Sequence, residues 1–292
     1  MSSVSKAFGT GAGARHVLED VTLTVDEGEF VSIVGFMGCG KSTFINILCG
    51  LLRPDGGSVR IGGELVDGVH RRASIVFQNY SLLPWFSALE NVRLAVAAAR
   101  SEWPRARQAE QARRYLERVG LGNALDRRPG QLSGGMRQRV AIARAFATEP
   151  DILFLDEPFG ALDALTRANL QQDLIGLCAD VERPVTAVMI TNSVDEALLL
   201  SDRIVPMTRG PRAALGAAVA VDIPKPRTAA HLLHDEHAVH VRSHVIESLT
   251  DSVHRSRRRR GEPREAVVPG RVAEGARPAT GGVRLQPDRS EA

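Results

Sequence analysis

Gly35-Phe36-Met37-Gly38-Cys39-Gly40-Lys41-Ser42-Thr43 is the stretch on which the reading of this chain turns. It follows the β-rich run Phe30-Val31-Ser32-Ile33-Val34. It leads into Phe44-Ile45-Asn46-Ile47-Leu48, which reads as a helix ending near Gly50, with Pro54 beyond. The stretch fits G-x-x-x-x-G-K-[ST] from Gly35 to Ser42. Such a pattern suits a polyanion. Consecutive backbone N–H groups must point at one cluster of phosphate oxygens while side chains stay clear, and Gly38 and Gly40 permit that curvature. A helix starting near Lys41 adds the positive end of its dipole. Lys41 is expected to reach the β- and γ-phosphates of a nucleoside triphosphate, and the Ser42 hydroxyl to hold Mg²⁺.

Strand and helix signals alternate outward from this loop. Residues 17–34 read as two strands around the polar turn Asp26-Glu27-Gly28-Glu29. Ser58-Val59-Arg60-Ile61 and Ser74-Ile75-Val76-Phe77 read as further strands, the second ending at Gln78. Residues 88–147 look mostly helical, with breaks at Pro104, Gly120, Gly122 and Pro129-Gly130. Ile152-Leu153-Phe154-Leu155 is continuously apolar, as strands buried inside a parallel sheet are, and residues 185–190 read as another strand of the same kind. Residues 204–207 and 217–221 follow as shorter strands, and 228–254 carry a modest helical pattern. Alternation of this kind predicts an α/β domain with a largely parallel sheet, and the helical insert between Gln78 and Ser133 should form its own lobe.

Two more segments carry chemistry. Asp156-Glu157 closes an apolar strand, where a carboxylate faces the crevice in which the glycine loop lies. Asp156 is the expected Mg²⁺ holder and Glu157 the group that orients or deprotonates an attacking water. Ser133-Gly134-Gly135-Met136 opens a helix, with serine as N-cap and two glycines leaving the first amides bare.

Together with Leu132, that last segment resembles the signature of the nucleotide-binding subunit of ATP-binding cassette (ABC) transporters, and the resemblance covers about residues 8–230. It implies a P-loop NTPase fold with a mostly parallel RecA-like core sheet, an antiparallel β subdomain and a helical subdomain at about 86–147. The ATPase domain would then span 1–230, with a helical extension over 231–254. It also implies that two such domains face each other head to tail with ATP at both joints. Phe8 would stack on adenine; Gly35, Phe36, Met37, Gly38, Cys39, Gly40, Lys41, Ser42 and Thr43 would surround the phosphates. Gln78 would sense the γ-phosphate beside the Mg²⁺ held by Ser42 and Asp156. Ser133, Gly134, Gly135 and Met136 would reach the nucleotide of the partner, and Asp163 would signal across the dimer. The catalytic set implied is Glu157, Lys41, Gln78 and Asn192. Residues 79–85, 195–203 and Pro224-Lys225-Pro226-Arg227 are similar to the ATPases of nitrate, cyanate, sulfonate and taurine importers, nearest the nitrate branch. The partners implied are a second ATPase subunit, identical or paralogous, and integral membrane permease subunits. A periplasmic or extracellular solute-binding protein would act indirectly, and the chain would sit on the cytoplasmic face of the inner membrane as a peripheral subunit.

Three positions depart from that pattern. Asn192 stands where the family places a switch histidine; its amide can hydrogen-bond a phosphate oxygen but cannot relay a proton, so hydrolysis would rest on Glu157. Phe36 and Met37 replace a commoner polar or Pro-Ser pair, removing one hydroxyl. The start of the chain is short before Phe8, so the first edge strand is expected to be truncated. The competing readings are a chromosome-maintenance or DNA-repair ATPase and a weakly hydrolysing regulatory subunit. About ninety residues separate the glycine loop from Ser133, interrupted by prolines, which is too broken for the long coiled coil of the former. Glu157 argues against the latter.

Apolar residues make up 43% of the 292 and aromatics only 4%, so aliphatic side chains must fill the core. No apolar run approaches the roughly 18–20 residues that span a bilayer. The three cysteines are scattered without metal-ligand spacing and read as reduced thiols. The net charge of +3 is uneven: residues 255–292 hold ten arginines against five acidic residues, leaving 27 basic and 29 acidic residues before them. The main domain is therefore not basic, which argues against nucleic acid as a partner. Residues 255–292 read as a basic, disordered tail. Its run Arg257–Arg260 suits anionic lipid, RNA or plain solvation.

Overall fold

The structure is a computed structural model describing residues 1–179 and 185–259. In chain order its strands and helices begin with β1 (Ser2–Phe8), β2 (Arg15–Val21), β3 (Phe30–Gly35), α1 (Lys41–Leu48), β4 (Gly56–Ser58), β5 (Arg60–Ile61), β6 (Glu64–Leu65) and β7 (Ala73–Val76). Helices α2 (Ala88–Ala99), α3 (Arg105–Arg118) and α4 (Gly134–Phe146) follow. Then come β8 (Ile152–Asp156), α5 (Ala164–Ala179), β9 (Thr186–Thr191), α6 (Val194–Leu200), β10 (Arg203–Met207), β11 (Val219–Ala220), α7 (Ala229–His234) and α8 (Glu236–Arg259).

The main sheet has six strands in the order β11-β10-β3-β9-β8-β7. Every neighbouring pair from β10 to β7 is parallel, and β11 is antiparallel to β10. Both faces are covered, which explains the unbroken apolar runs. Val31 and Ile33 of β3 pack with Phe44 and Ile45 of α1 on one face. Phe30 and Val34 point the other way, into a cluster shared with α2, α4, α5 and α6. Phe44 and Phe154 are fully buried, and truncating either to alanine costs about 3–5 kcal/mol.

Helices α2, α3 and α4 pack on one another through Val92, Val96, Leu116 and Val140. They run only 12, 14 and 13 residues, far from a coiled-coil arm. Ser87 caps α2 by accepting from Glu90 N, and Pro104, one of the breaks read from the sequence, falls at the start of α3.

The structure corrects the sequence at four places. β1 is not a truncated edge: its seven residues form the centre of a three-stranded antiparallel sheet, β2-β1-β4. Only Val4 is buried along it, and register shifts at Val4/Lys6 and Lys6/Ala7 scramble the alternation by which a strand is read. Residues 58–61 are two short strands rather than one, split at Val59, which turns inward to 3% exposure. Residues 217–221 yield only β11 at 219–220. Helix α8 continues through Arg259, past the expected tail start at 255, since arginine is a good helix former. Residues 260–292 lie outside the described residues.

Arg227 fastens the carboxyl-terminal part. It is 2% exposed and gives five hydrogen bonds to four backbone carbonyls: Leu198, Ser201, Val221 and Ile223. Leu198 and Ser201 end α6, so the guanidinium satisfies carbonyls that a helix terminus leaves open. Beyond it, Leu232, Ala238, Val241 and Val245 join the same core cluster as Ala197 and Leu198 of α6.

Candidate functional site

Parallel strands deliver their carboxyl ends to one edge of the sheet, and the chain turns there carry the side chains of interest. β3 ends at Gly35, β8 at Asp156 and β9 at Thr191, while Gln78 lies two residues past β7. Gly40 has φ 115° and its Cβ position lies 2.9 Å from Val17 Cγ1 of β2, so only glycine lets the loop pass beneath that strand. Gly38 also has a positive φ, 73°. The curvature expected of the glycine loop is thus present at Gly38 and Gly40.

Lys41 is 4% exposed, and its ammonium folds back over the loop. Nζ donates to the carbonyls of Gly35 and Phe36, at 3.0 Å each, and to Asn192 Oδ1 at 2.5 Å. Glu157 Oε1 lies 3.3 Å away. Glu157 itself has φ 44°, a left-handed conformation that a non-glycine residue adopts only when its surroundings impose it. Its N–H donates to Ile190 O of the neighbouring strand, which holds the turn in place. Gln78 Nε2 donates to Glu157 Oε2 at 3.5 Å. Ser42 Oγ donates to Asp156 Oδ1 at 3.5 Å. Burial, then the neighbouring Glu157, pushes the Asp156 carboxyl above its ordinary value. Lys41, Ser42, Gln78, Asp156, Glu157 and Asn192 are therefore brought together.

The cleft above them has a volume of about 340 Å³, and its lining runs from Lys41, Ser42, Thr43 and Glu157 to Phe8. Phe8 is 46% exposed at the rim, with Lys6 Nζ 5.7 Å from its ring centre. Arg15 and Val17 of β2 line the same cleft and were not singled out from the sequence. A lone arginine in a strand of ordinary composition carries no motif. Phe36 and Met37 stand outward from the loop, Met37 at 85% exposure. Cys39 turns inward, its Sγ 3.6 Å from Met207 Sδ, and burial pushes its thiol up.

Two expected groups are not part of this cleft within the chain. Ser133 accepts from Met136 N at 3.2 Å and caps α4. Gly135 is packed against α5: a Cβ there would lie 2.4 Å from Thr166 Cγ2. Gly134 has the Tyr80 hydroxyl 3.5 Å from its Cβ position. Asp163 is exposed and caps α5 by accepting from Thr166 N at 3.0 Å, which holds its carboxyl below the ordinary value.

This geometry has relatives. The sequence family described as ABC transporter matches residues 18–160. A bicarbonate transport ATP-binding protein, CmpD of Synechocystis sp., is 45% identical over 85% of this chain and 88% of that protein. The chain belongs to the ABC transporter family. A nitrate import ATP-binding protein, NrtD of Synechococcus elongatus, is 44% identical over 84% of this chain and 89% of that protein. Among solved structures, the ATP-binding cassette MJ0796, described as a dimer in a post-hydrolysis state bound to ADP and Pi, superposes with a TM-score of 0.67. It is 32% identical and covers 76% of this chain and 98% of its own. The chain is thus a nucleotide-binding cassette of the ABC ATPase fold. Among the described residues no helix is long and apolar enough to cross a membrane.

Proposed function

We propose that this chain is the ATP-hydrolysing subunit of an ABC importer for a small oxyanion, working as one of two such subunits beneath separate permease subunits. The observation that carries the reading is the convergence on one glycine loop of Lys41, Glu157 and Asn192, with Glu157 also held by Gln78.

The cleft suits a triphosphate with its cation. Lys41 rests on two carbonyls, an amide oxygen and a carboxylate, all weaker or more distant partners than a polyphosphate would supply. Ser42 Oγ and Asp156 Oδ1 are hard oxygen donors facing one another, the donor type that Mg²⁺ selects. Gln78, whose Nε2 faces Glu157, would add its Oε1 as a third oxygen. Mg²⁺ there would neutralise charge on the β- and γ-phosphates. Released from Asn192, Lys41 neutralises phosphate oxygens, and the Asn192 amide offers its N–H to the γ-phosphate. Glu157, free of Lys41, would accept a hydrogen bond from the attacking water. Phe8 stacks on the base, beside Arg15.

The signature turn sits away from this cleft in its own chain, which supports a head-to-tail pair in which Ser133 and Gly135 meet the nucleotide held by a mate. Asp163 then lies at the joint. The cassette MJ0796 is itself described as dimeric. The solute reading rests on the relatives, one described with bicarbonate transport and one with nitrate import. Bicarbonate lies outside the expectation from sequence; nitrate lies within it. The subunit does not touch the solute, and it would lie on the cytoplasmic face of the membrane against its permease. Reconstitution with that permease in vesicles tests the reading: Mg·ATP hydrolysis that rises with transport supports it, and absence of both contradicts it.

A further inference from the structure

Two turns follow neighbouring strands of the sheet, one at the cleft and one outside it. One is 191–193, between β9 and α6, carrying Asn192. The other is 162–163, between β8 and α5, carrying Asp163. A single carboxylate spans the distance between them. Thr191 Oγ1 donates to Glu196 Oε2 at 2.6 Å and accepts from Ser193 N at 3.1 Å. Glu196 N donates to Ser193 Oγ at 3.3 Å. On its other side, Glu196 Oε1 lies 3.8 Å from Arg167 Nε. Arg167 in turn donates through Nη2 to Leu162 O at 3.1 Å, and its backbone N–H donates to Asp163 O at 2.9 Å.

We propose that Glu196 is a positioning residue that couples the Asn192 turn to the Asp163 turn, so that the state of one nucleotide cleft is passed to the partner's. This rests on the ATPase reading above.

Three features single out the carboxylate. First, it is 7% exposed and Thr191 is 3% exposed, so the link is inside the protein. A buried ionisable side chain costs stability that a glutamine would not, which makes it a poor choice for packing alone. Burial indeed pushes the Glu196 carboxyl above its ordinary value. Second, the Glu196–Arg167 separation is an ion pair beyond hydrogen-bond reach, and Arg167 Nε is a buried donor with no hydrogen-bond partner. A shift of about 1 Å would close that gap to a hydrogen bond. The pair therefore has room to tighten. Third, the upstream end of the chain of contacts is the lysine of the glycine loop: Lys41 holds Asn192, and Asn192 is the residue next to Thr191. When Lys41 turns to phosphate, the 191–193 turn loses that anchor. Thr191 carries its movement to Glu196, and Arg167 carries it to the Leu162 carbonyl and the Asp163 turn.

The test uses the full chain and its Glu196→Gln, Arg167→Gln and doubly substituted forms. ATPase rate is followed against ATP concentration, with melting temperature and the affinity of a fluorescent ATP analogue measured beside it. The parental protein should respond to ATP with a Hill coefficient above one. Each single substitution should bring that coefficient to about one and lower kcat about fivefold or more, the scale of a typical coupling between sites. Analogue affinity should stay within about twofold, and the double form should lose no more than the worse single, since both act through one link. Glu196→Gln should melt no lower than the parent at neutral pH. Arg167 is partly exposed, so its variant supplies the readout if the other folds poorly. Cooperativity and kcat unchanged in both singles, or losses that multiply in the double, would overturn the coupling while leaving the ATPase reading intact. A parental protein that hydrolyses ATP without cooperativity would also overturn it. A parental protein that does not hydrolyse ATP at all would remove the reading of the site, and the coupling with it.

Discussion

Lys41 Nζ donates to Asn192 Oδ1 at 2.5 Å across the mouth of the glycine loop. Lysine only donates, so the Asn192 amide must turn its oxygen to Lys41 and its NH₂ away. Asn192, proposed to stand in for a switch histidine, is thus an acceptor for Lys41. A neutral histidine could fill that role through a ring nitrogen. Asn192→His is expected to leave ATPase activity equal to the parent's or higher, measured as steady turnover at saturating Mg·ATP. A collapse with an unchanged melting temperature would mean that the cleft is built around the amide.

Glu157→Gln should reduce turnover by about 100-fold or more, the contribution typical of a positioned general base. Binding of ATP should survive, because glutamine keeps the shape and the contact with Gln78. Turnover at the parental rate in single-turnover assays would take Glu157 out of the chemistry.

Gly135 is squeezed between two elements. Gly135→Ala places a methyl 2.4 Å from Thr166 Cγ2 and should destabilise the fold by about 1–3 kcal/mol, the usual range for overpacking. Thr166→Ser removes the offending methyl, so the double form should recover the parental melting temperature. If its ATPase rate also recovers, the glycine serves α4–α5 packing alone. Continued loss would place the partner's nucleotide at that turn.

Much of this was legible beforehand. The glycine loop, Asp156-Glu157 and the apolar strands announce themselves because phosphate binding and double-sided burial each demand a narrow set of residues at fixed spacing. β1 did not, since a strand with one buried side chain and two register shifts has no alternation to read. Arg227 read only as part of a Pro-Lys-Pro-Arg stretch. Its five hydrogen bonds depend on carbonyls up to 29 residues away, and sequence spacing does not encode them. Glu196 likewise read only as part of the stretch 195–203, and its burial beside Thr191 is what marks it.

Arg227→Ala should therefore be far more damaging than a surface arginine change. It orphans four carbonyls and opens a void where a large side chain was fully packed, a loss of about 3–5 kcal/mol. Chemical denaturation would register this as an earlier midpoint. A change under about 0.5 kcal/mol would place Arg227 with ordinary surface positions.

The Glu196 carboxyl titrates high in the fold because burial disfavours its charge, with Asp195 and Glu157 pushing the same way and Thr191 and Arg167 opposing. A folded carboxyl that holds its proton more tightly than the unfolded one stabilises the protein below the ordinary carboxylate value. That contribution is lost as pH rises through the raised value. Glu196→Gln has no such loss, so its melting temperature relative to the parent should rise between pH 4 and pH 8. A difference that stays flat over that interval would show that burial does not shift the group.

The head-to-tail pair itself is tested most directly by mass. Analytical ultracentrifugation of Glu157→Gln should show a monomer without nucleotide and a doubled mass with Mg·ATP. Adding Ser133→Arg, which places a bulky cation on the turn that faces the mate's nucleotide, should abolish the doubling while the fold persists. A Glu157→Gln protein that neither retains Mg·ATP nor doubles its mass, alone or with its permease, would contradict the head-to-tail site.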